Sequence, residues 1–149
     1  MTLRLALLLS LFPLAAHAQS LRDRLTTAPQ IPATEWRDMT AGKTVIYEID
    51  GDLFGYEHYD ANSDKVTFQL DDGTCIDGRW FMEGSAYCFD WQDGPLNCFH
   101  QKTLNGSVYV IGLESGAETD DIQKVARIVV LPLSCGPALL SALEPEAHL

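Results

Sequence analysis

The feature that most constrains this chain is a succession of short segments with a period of two, each closed by turn residues. Thr44–Ile49 alternates and stops at Asp50-Gly51-Asp52, and Leu53–Tyr59 stops at the polar run Asp60–Asp64. Val66, Phe68 and Leu70 alternate with Thr67 and Gln69 before Asp72-Gly73. Cys75–Met82 and Ala86–Trp91 are joined at Glu83-Gly84. Leu96–Lys102 leads to Asn105-Gly106, and Val108–Leu113 and Val125–Leu131 follow. A period of two is the geometry of a strand with one buried face. Connections this short force antiparallel neighbours, because a parallel crossover needs about a dozen residues or more. The expectation is an all-β fold, an antiparallel meander of about eight short strands that curls into a small barrel or a curved sandwich. Thr34 reads as the cap of a short helix, Glu35–Ala41, ended by Gly42, and Gly136-Pro137 as the start of a short helical tail, Ala138–Leu143. Parallel α/β folds and the nucleotide sites they carry are excluded.

Residues 1–18 read as a secretory signal. Arg4 is the positive start, Leu5–Ala16 is apolar, and Ala16-His17-Ala18 is a small-x-small cleavage pattern before Gln19. The apolar stretch is shorter than the roughly 20 residues that span a bilayer. No later run is long enough either, so no transmembrane segment is expected after removal of the signal. Residues 19–33, broken by Pro29 and Pro32, read as a flexible arm, and 34–149 as a single disulfide-stapled β domain. The expected location is the periplasm or the exterior.

Export governs how the cysteines are read. Cys75, Cys88, Cys98 and Cys135 form an even set in an oxidising compartment, which predicts two disulfides. A three-residue loop over Gln92–Gly94, with Gly94 left-handed, sets Cys88 directly opposite Cys98. Cross-strand neighbours at that separation can be bridged. A turn at Glu83-Gly84 sets Cys88 opposite Arg79 instead of near Cys75. The expected pairs are therefore Cys88–Cys98 and, by elimination, Cys75–Cys135. In the chain-entropy model they contribute roughly 3 and about 4 kcal/mol. No Cys-x-x-Cys knuckle is present to suggest zinc.

Ten Lys and Arg against 21 Asp and Glu give a net charge of −11. A phosphate backbone or an anionic membrane surface would be repelled, so no nucleic-acid partner is expected. A cationic protein partner or a small apolar ligand is compatible with the charge and the aromatic content. In the hairpin, Tyr87, Phe89, Trp91 and Phe99 share one face, which reads as core, and Asp90 and His100 share the other beside the disulfide. Glu57-His58-Tyr59-Asp60 is the other stretch with chemistry in it. His58, Asp90 and His100 are the candidate binding residues. No catalytic set is assigned: a Gly-x-Ser-x-Gly elbow is absent, and the thiols belong to disulfides. No metal or cofactor is assigned. The acidic stretch Glu114–Asp121 reads as a solvated loop. In Asp60–Asp64, Lys65 stands where a calcium loop needs glycine, so an Asx-rich turn is expected.

Gly42-Lys43-Thr44, Gly78-Arg79-Trp80, Cys88-Phe89 and Cys98-Phe99, in that order, make the chain resemble a family of small secreted proteobacterial proteins catalogued as a domain of unknown function. The likeness spans about residues 34 to 110. It implies the Cys88–Cys98 pair and carries no activity. Gly78-Arg79-Trp80 is also similar to the lipocalin signature, but lies mid-chain instead of near the start. A glycine there can let Trp80 pack closely on a neighbouring strand.

The functional expectation is an exported, soluble, non-catalytic binding or envelope-associated domain. The alternative is a small metal-dependent or hydrolytic enzyme using His58, His100 and nearby acids.

Overall fold

The structure, a computed structural model, describes residues 20–135. The signal segment and the expected tail helix lie outside the described residues. The elements in order are α1 (Leu21–Thr26), β1 (Gln30–Ile31), α2 (Ala33–Thr40), β2 (Thr44–Ile49), β3 (Asp52–Tyr59), β4 (Lys65–Leu70), β5 (Cys75–Glu83), β6 (Ala86–Trp91), β7 (Leu96–Leu104), β8 (Ser107–Glu114) and β9 (Ala117–Val129).

From β2 onward every strand pairs antiparallel with the next, and β9 returns to β2, closing a barrel of eight strands. β1 adds to the edge of β7, with Gln30 opposite Lys102. The turns explain the meander. Asn105 and Gly106 have φ of 52° and 78°, and Asp50 and Gly51 have 54° and 93°. Two successive left-handed residues make the primed turn whose twist matches that of the flanking strands. Closure is helped by irregularities at Tyr47, where the register of β2 shifts against both β3 and β9. Such a shift bends a strand and increases its twist, as a barrel wall requires.

Both expected disulfides are present. Cys88 and Cys98 are direct cross-strand partners with Cα atoms 4.0 Å apart. Asp93, with φ of 61°, takes the left-handed position that the sequence suggested for Gly94. The β5–β6 turn is one residue later than expected, so Cys88 faces Phe81 and not Arg79. Cys75–Cys135 ties down the segment after β9. That segment also receives hydrogen bonds from the Thr44 hydroxyl, to the Leu131 carbonyl, and from the Gln69 amide, to the Ser134 carbonyl at 2.7 Å.

Three sequence readings are corrected. The stretch read as a flexible arm carries α1, β1 and the first residue of α2. Ser20 and Asp23 form a reciprocal capping box at α1, and Leu25 on that helix is fully buried. α2 begins at Ala33 after Pro32, with no side-chain cap, so Thr34 lies inside the helix. Its first turn uses the fixed φ of proline in place of a hydroxyl cap. The acidic loop is shorter than expected: only Ser115 and Gly116 form the turn, and Glu118, Asp120 and Asp121 belong to β9.

The barrel has two unlike ends. Strand directions place Thr44, Tyr59, Ala86 and the start of β8 at one end, where α2 lies. Trp36 of α2 is fully buried there. Arg37 sits over the Trp80 ring at 5.3 Å, and Trp80 stacks on Tyr87 at 5.0 Å. Phe54, Leu70, Ile76, Trp91 and Pro95 lie toward the other end, where the barrel is hollow.

Candidate functional site: a cavity in the barrel

Residues of all eight barrel strands surround a cavity of about 420 Å³. Six aromatic side chains form its wall: Tyr47, Phe54, Phe68, Phe89, Trp91 and Phe99. The rings brace one another. Phe89 stacks on Trp91 at 5.3 Å, and Phe68 meets Phe54 at 5.5 Å and Trp91 edge-on at 6.2 Å. Offset and edge-to-face contacts of this kind fix ring positions beyond what area burial achieves.

Two glycines make room for the wall. A Cβ on Gly55 would lie 2.5 Å from the Phe68 ring, and one on Gly78 would lie 2.5 Å from the Trp91 ring. The glycine of the Gly-x-Trp sequence therefore serves Trp91 across the β5–β6 pair and not Trp80, as the sequence reading had it. Trp80 packs at the plugged end instead.

A polar cluster marks the inner limit of the cavity. Glu57 is buried, and its Oε2 accepts hydrogen bonds from the Tyr47 hydroxyl at 2.6 Å and the Tyr59 hydroxyl at 2.5 Å. The Trp36 indole N–H reaches the Tyr59 hydroxyl at 3.4 Å, which links the cluster to the plug. Burial pushes the Glu57 carboxyl up to about 7, against the opposing effect of the two phenol hydrogen bonds. Burial, followed by the neighbouring Glu57 charge, raises both tyrosines well above their ordinary range. Gln101 also lines the cavity, and its Oε1 is buried with no partner among the described residues. A buried amide oxygen without a partner is uncommon, and this one is free to accept a hydrogen bond from a molecule in the cavity.

Sequence reasoning did not single out Tyr47 or Gln101, and placed Glu57 in a metal-type cluster with His58. The signal was available. With a period of two, Gly55, Glu57 and Tyr59 face one way and His58 the other. Gln101 follows Phe99 on the aromatic face by the same count.

The structure does not bring the expected binding residues together. His58 faces outward on β3, with Nδ1 3.0 Å from the Thr44 hydroxyl. His100 is on β7, separated from β3 by three strands in either direction around the barrel. The two histidines therefore lie on opposite walls and cannot share a metal, whose ligand bonds are near 2 Å. Asp90 is exposed on β6 and lines a second hollow with Lys65, Asp77 and Arg79. Among the described residues, the one group of three metal-type ligand atoms close together is Glu83 with Cys88 and Cys98, and those sulfurs are bonded to each other.

His100 is more enclosed than the sequence suggested, with its side chain 17% exposed. Its Nδ1 is 3.0 Å from Glu118 Oε1 and its Nε2 is 3.2 Å from the Ser85 hydroxyl. Burial acts to raise Glu118, but hydrogen bonds from Lys102, His100 and Arg22 outweigh it and hold the carboxyl below its ordinary range. Lys102 also donates to the Leu25 carbonyl, so the cluster fastens α1 to the barrel wall. None of Ser85, His100 and Glu118 lines either hollow described above.

No family model, curated protein or solved structure matches the chain.

Proposed function

We propose that the protein is an exported, non-catalytic binding domain whose barrel takes up a small, largely apolar molecule. The observation that carries this reading is the aromatic-walled cavity of about 420 Å³. Small-molecule sites are concave, mostly apolar and about 300–1,000 Å³, with a few convergent polar groups. The two disulfides and the signal-like start support a place outside the cytoplasm. No helix among the described residues is long and apolar enough to cross a membrane. The acidic surface favours cationic partners in the envelope.

A neutral fluorescent probe, N-phenyl-1-naphthylamine, tests the reading. One molecule is expected to bind per chain with enhanced emission. Leu70→Trp, which fills the mouth of the cavity, is expected to weaken binding at least tenfold without loss of the folded spectrum. Probe binding that is undetectable, or unchanged in the variant, overturns the proposal.

A second reading rests on the Ser85–His100–Glu118 relay. A hydroxyl, an imidazole and a carboxylate in hydrogen-bond order are the parts of an activated nucleophile. Ester hydrolysis that disappears in both Ser85→Ala and His100→Ala would favour it over the binding reading. Equal rates in all three proteins remove it.

A further inference from the structure

The cavity has a charge preference as well as a shape. Its titratable acids are Glu57 at the inner end and Asp93 and Asp121 toward the mouth, and among the described residues no Lys, Arg or His lines it. The remaining polar side chains of the lining are Tyr47, whose hydroxyl donates to Glu57, Trp91, and amides that include the buried Gln101, whose oxygen has no partner. The faces of the six aromatic rings carry the negative lobe of their quadrupoles. An anionic ligand such as a fatty acid would enter beside three carboxyls with no cation to meet it. A purely apolar ligand would leave the Gln101 oxygen unpaired.

We propose that the cavity is selective for an organic cation, a molecule with an apolar, ring-sized body and an ammonium group directed at Glu57 and Gln101. This rests on the reading of the cavity as a ligand site and names its ligand class. Both phenols converge on Glu57 Oε2, so they do not use the second carboxylate oxygen. An ammonium has three N–H donors, enough for that oxygen and for Gln101 Oε1. Its charge over the ring faces adds cation–π attraction, the same physics that holds quaternary ammonium groups in aromatic cages. The groups facing Glu57 are Tyr47 of β2 and Tyr59 of β3, with Tyr87 of β6 farther off and Arg37 of α2 acting on Tyr87. None of the groups lining the cavity is a cation that would neutralise Glu57 in advance. With its carboxyl raised to about 7, Glu57 gains charge across the neutral range, and a bound cation favours that charge. The net charge of −11 raises the local concentration of such cations around the chain.

Three molecules with the same ring and different charge separate the possibilities: 2-phenylethylamine, 2-phenylethanol and phenylacetate. Each competes with N-phenyl-1-naphthylamine at pH 8 and physiological salt. The amine is expected to bind about tenfold more tightly than the alcohol, and phenylacetate more weakly than both. Glu57→Gln is expected to bring the amine to within about twofold of the alcohol. On the native chain, amine binding is expected to tighten several-fold from pH 6 to pH 8, with no such trend for the alcohol. An alkyl ammonium, like that of lysine with a pKa near 10.4, stays charged over this range. An alcohol that binds as well as the amine, or an amine that fails to displace the probe, overturns the cation proposal and leaves the cavity reading standing. Failure of the probe itself to bind overturns the cavity reading.

Discussion

Trp36 and Trp91 both belong to the interior of one barrel, at opposite ends, and their surroundings differ. Trp36 comes from a helix, is fully buried, and donates through its indole to Tyr59. Trp91 is the last residue of β6, lies over a glycine, and lines a hollow. The same closed wall is filled at one end by an added element and lined at the other only by its own side chains. A small barrel of about eight strands has an interior just wide enough for either outcome. The plugged end is where stability is concentrated, and the hollow end is where a ligand can be exchanged for water.

Four substitutions test that contrast, from the largest effect downward. Trp36→Ala leaves an indole-sized void under the barrel and is expected to cost about 3–5 kcal/mol by urea unfolding. Trp91→Ala, beside a space that already exists, is expected to cost clearly less while abolishing probe binding. Equal costs at the two ends would dissolve the distinction.

Glu57 gives the next effect. Its carboxyl titrates at about 7 in the folded chain against 4.5 for the ordinary group. Over that interval the folded state binds the proton and the unfolded state does not, so stability is greatest below pH 4.5, falls as pH rises to about 7, and is flat above. The loss is on the order of 3 kcal/mol. Glu57→Gln is expected to abolish this dependence, which urea midpoints at pH 4.5 and 8 would reveal. An unchanged slope in the variant would assign the titration to another group.

The smallest effect belongs to Gly78. A Cβ there would sit 2.5 Å from the Trp91 ring and 2.9 Å from the Asp90 carbonyl oxygen. Gly78→Ala is expected to cost about 1–3 kcal/mol as Trp91 shifts. Probe affinity should drop with it. A loss of stability with unchanged affinity would mean that Trp91 moves away from the cavity and not into it.

Much of the wall was legible residue by residue. The turn pairs Asp50-Gly51 and Asn105-Gly106 and the alternation of Val66, Phe68 and Leu70 encode strands and their order, because turn conformation and side-chain alternation are local properties. The count from Trp91 across the hairpin gave the Cys88–Cys98 bond even though Asp93, and not Gly94, is the left-handed residue. Ser20-Leu21-Arg22-Asp23 holds a capping box that the reading as an arm passed over. The candidate site was far less legible. His58 and His100 attracted notice as residue types, while Glu57 and Gln101, on the inward face, did not.

The sequence by itself determined that this chain is antiparallel, cross-linked and acidic, since each of those follows from neighbours in the chain or from composition. Tertiary structure decided that β9 closes on β2, that α2 fills one end and not the other, and that Tyr47 and Tyr59 meet on Glu57. Those outcomes depend on pairings between residues far apart in the chain and on the difference between the volume the wall encloses and the volume its inward side chains fill. A local pattern specifies neither quantity.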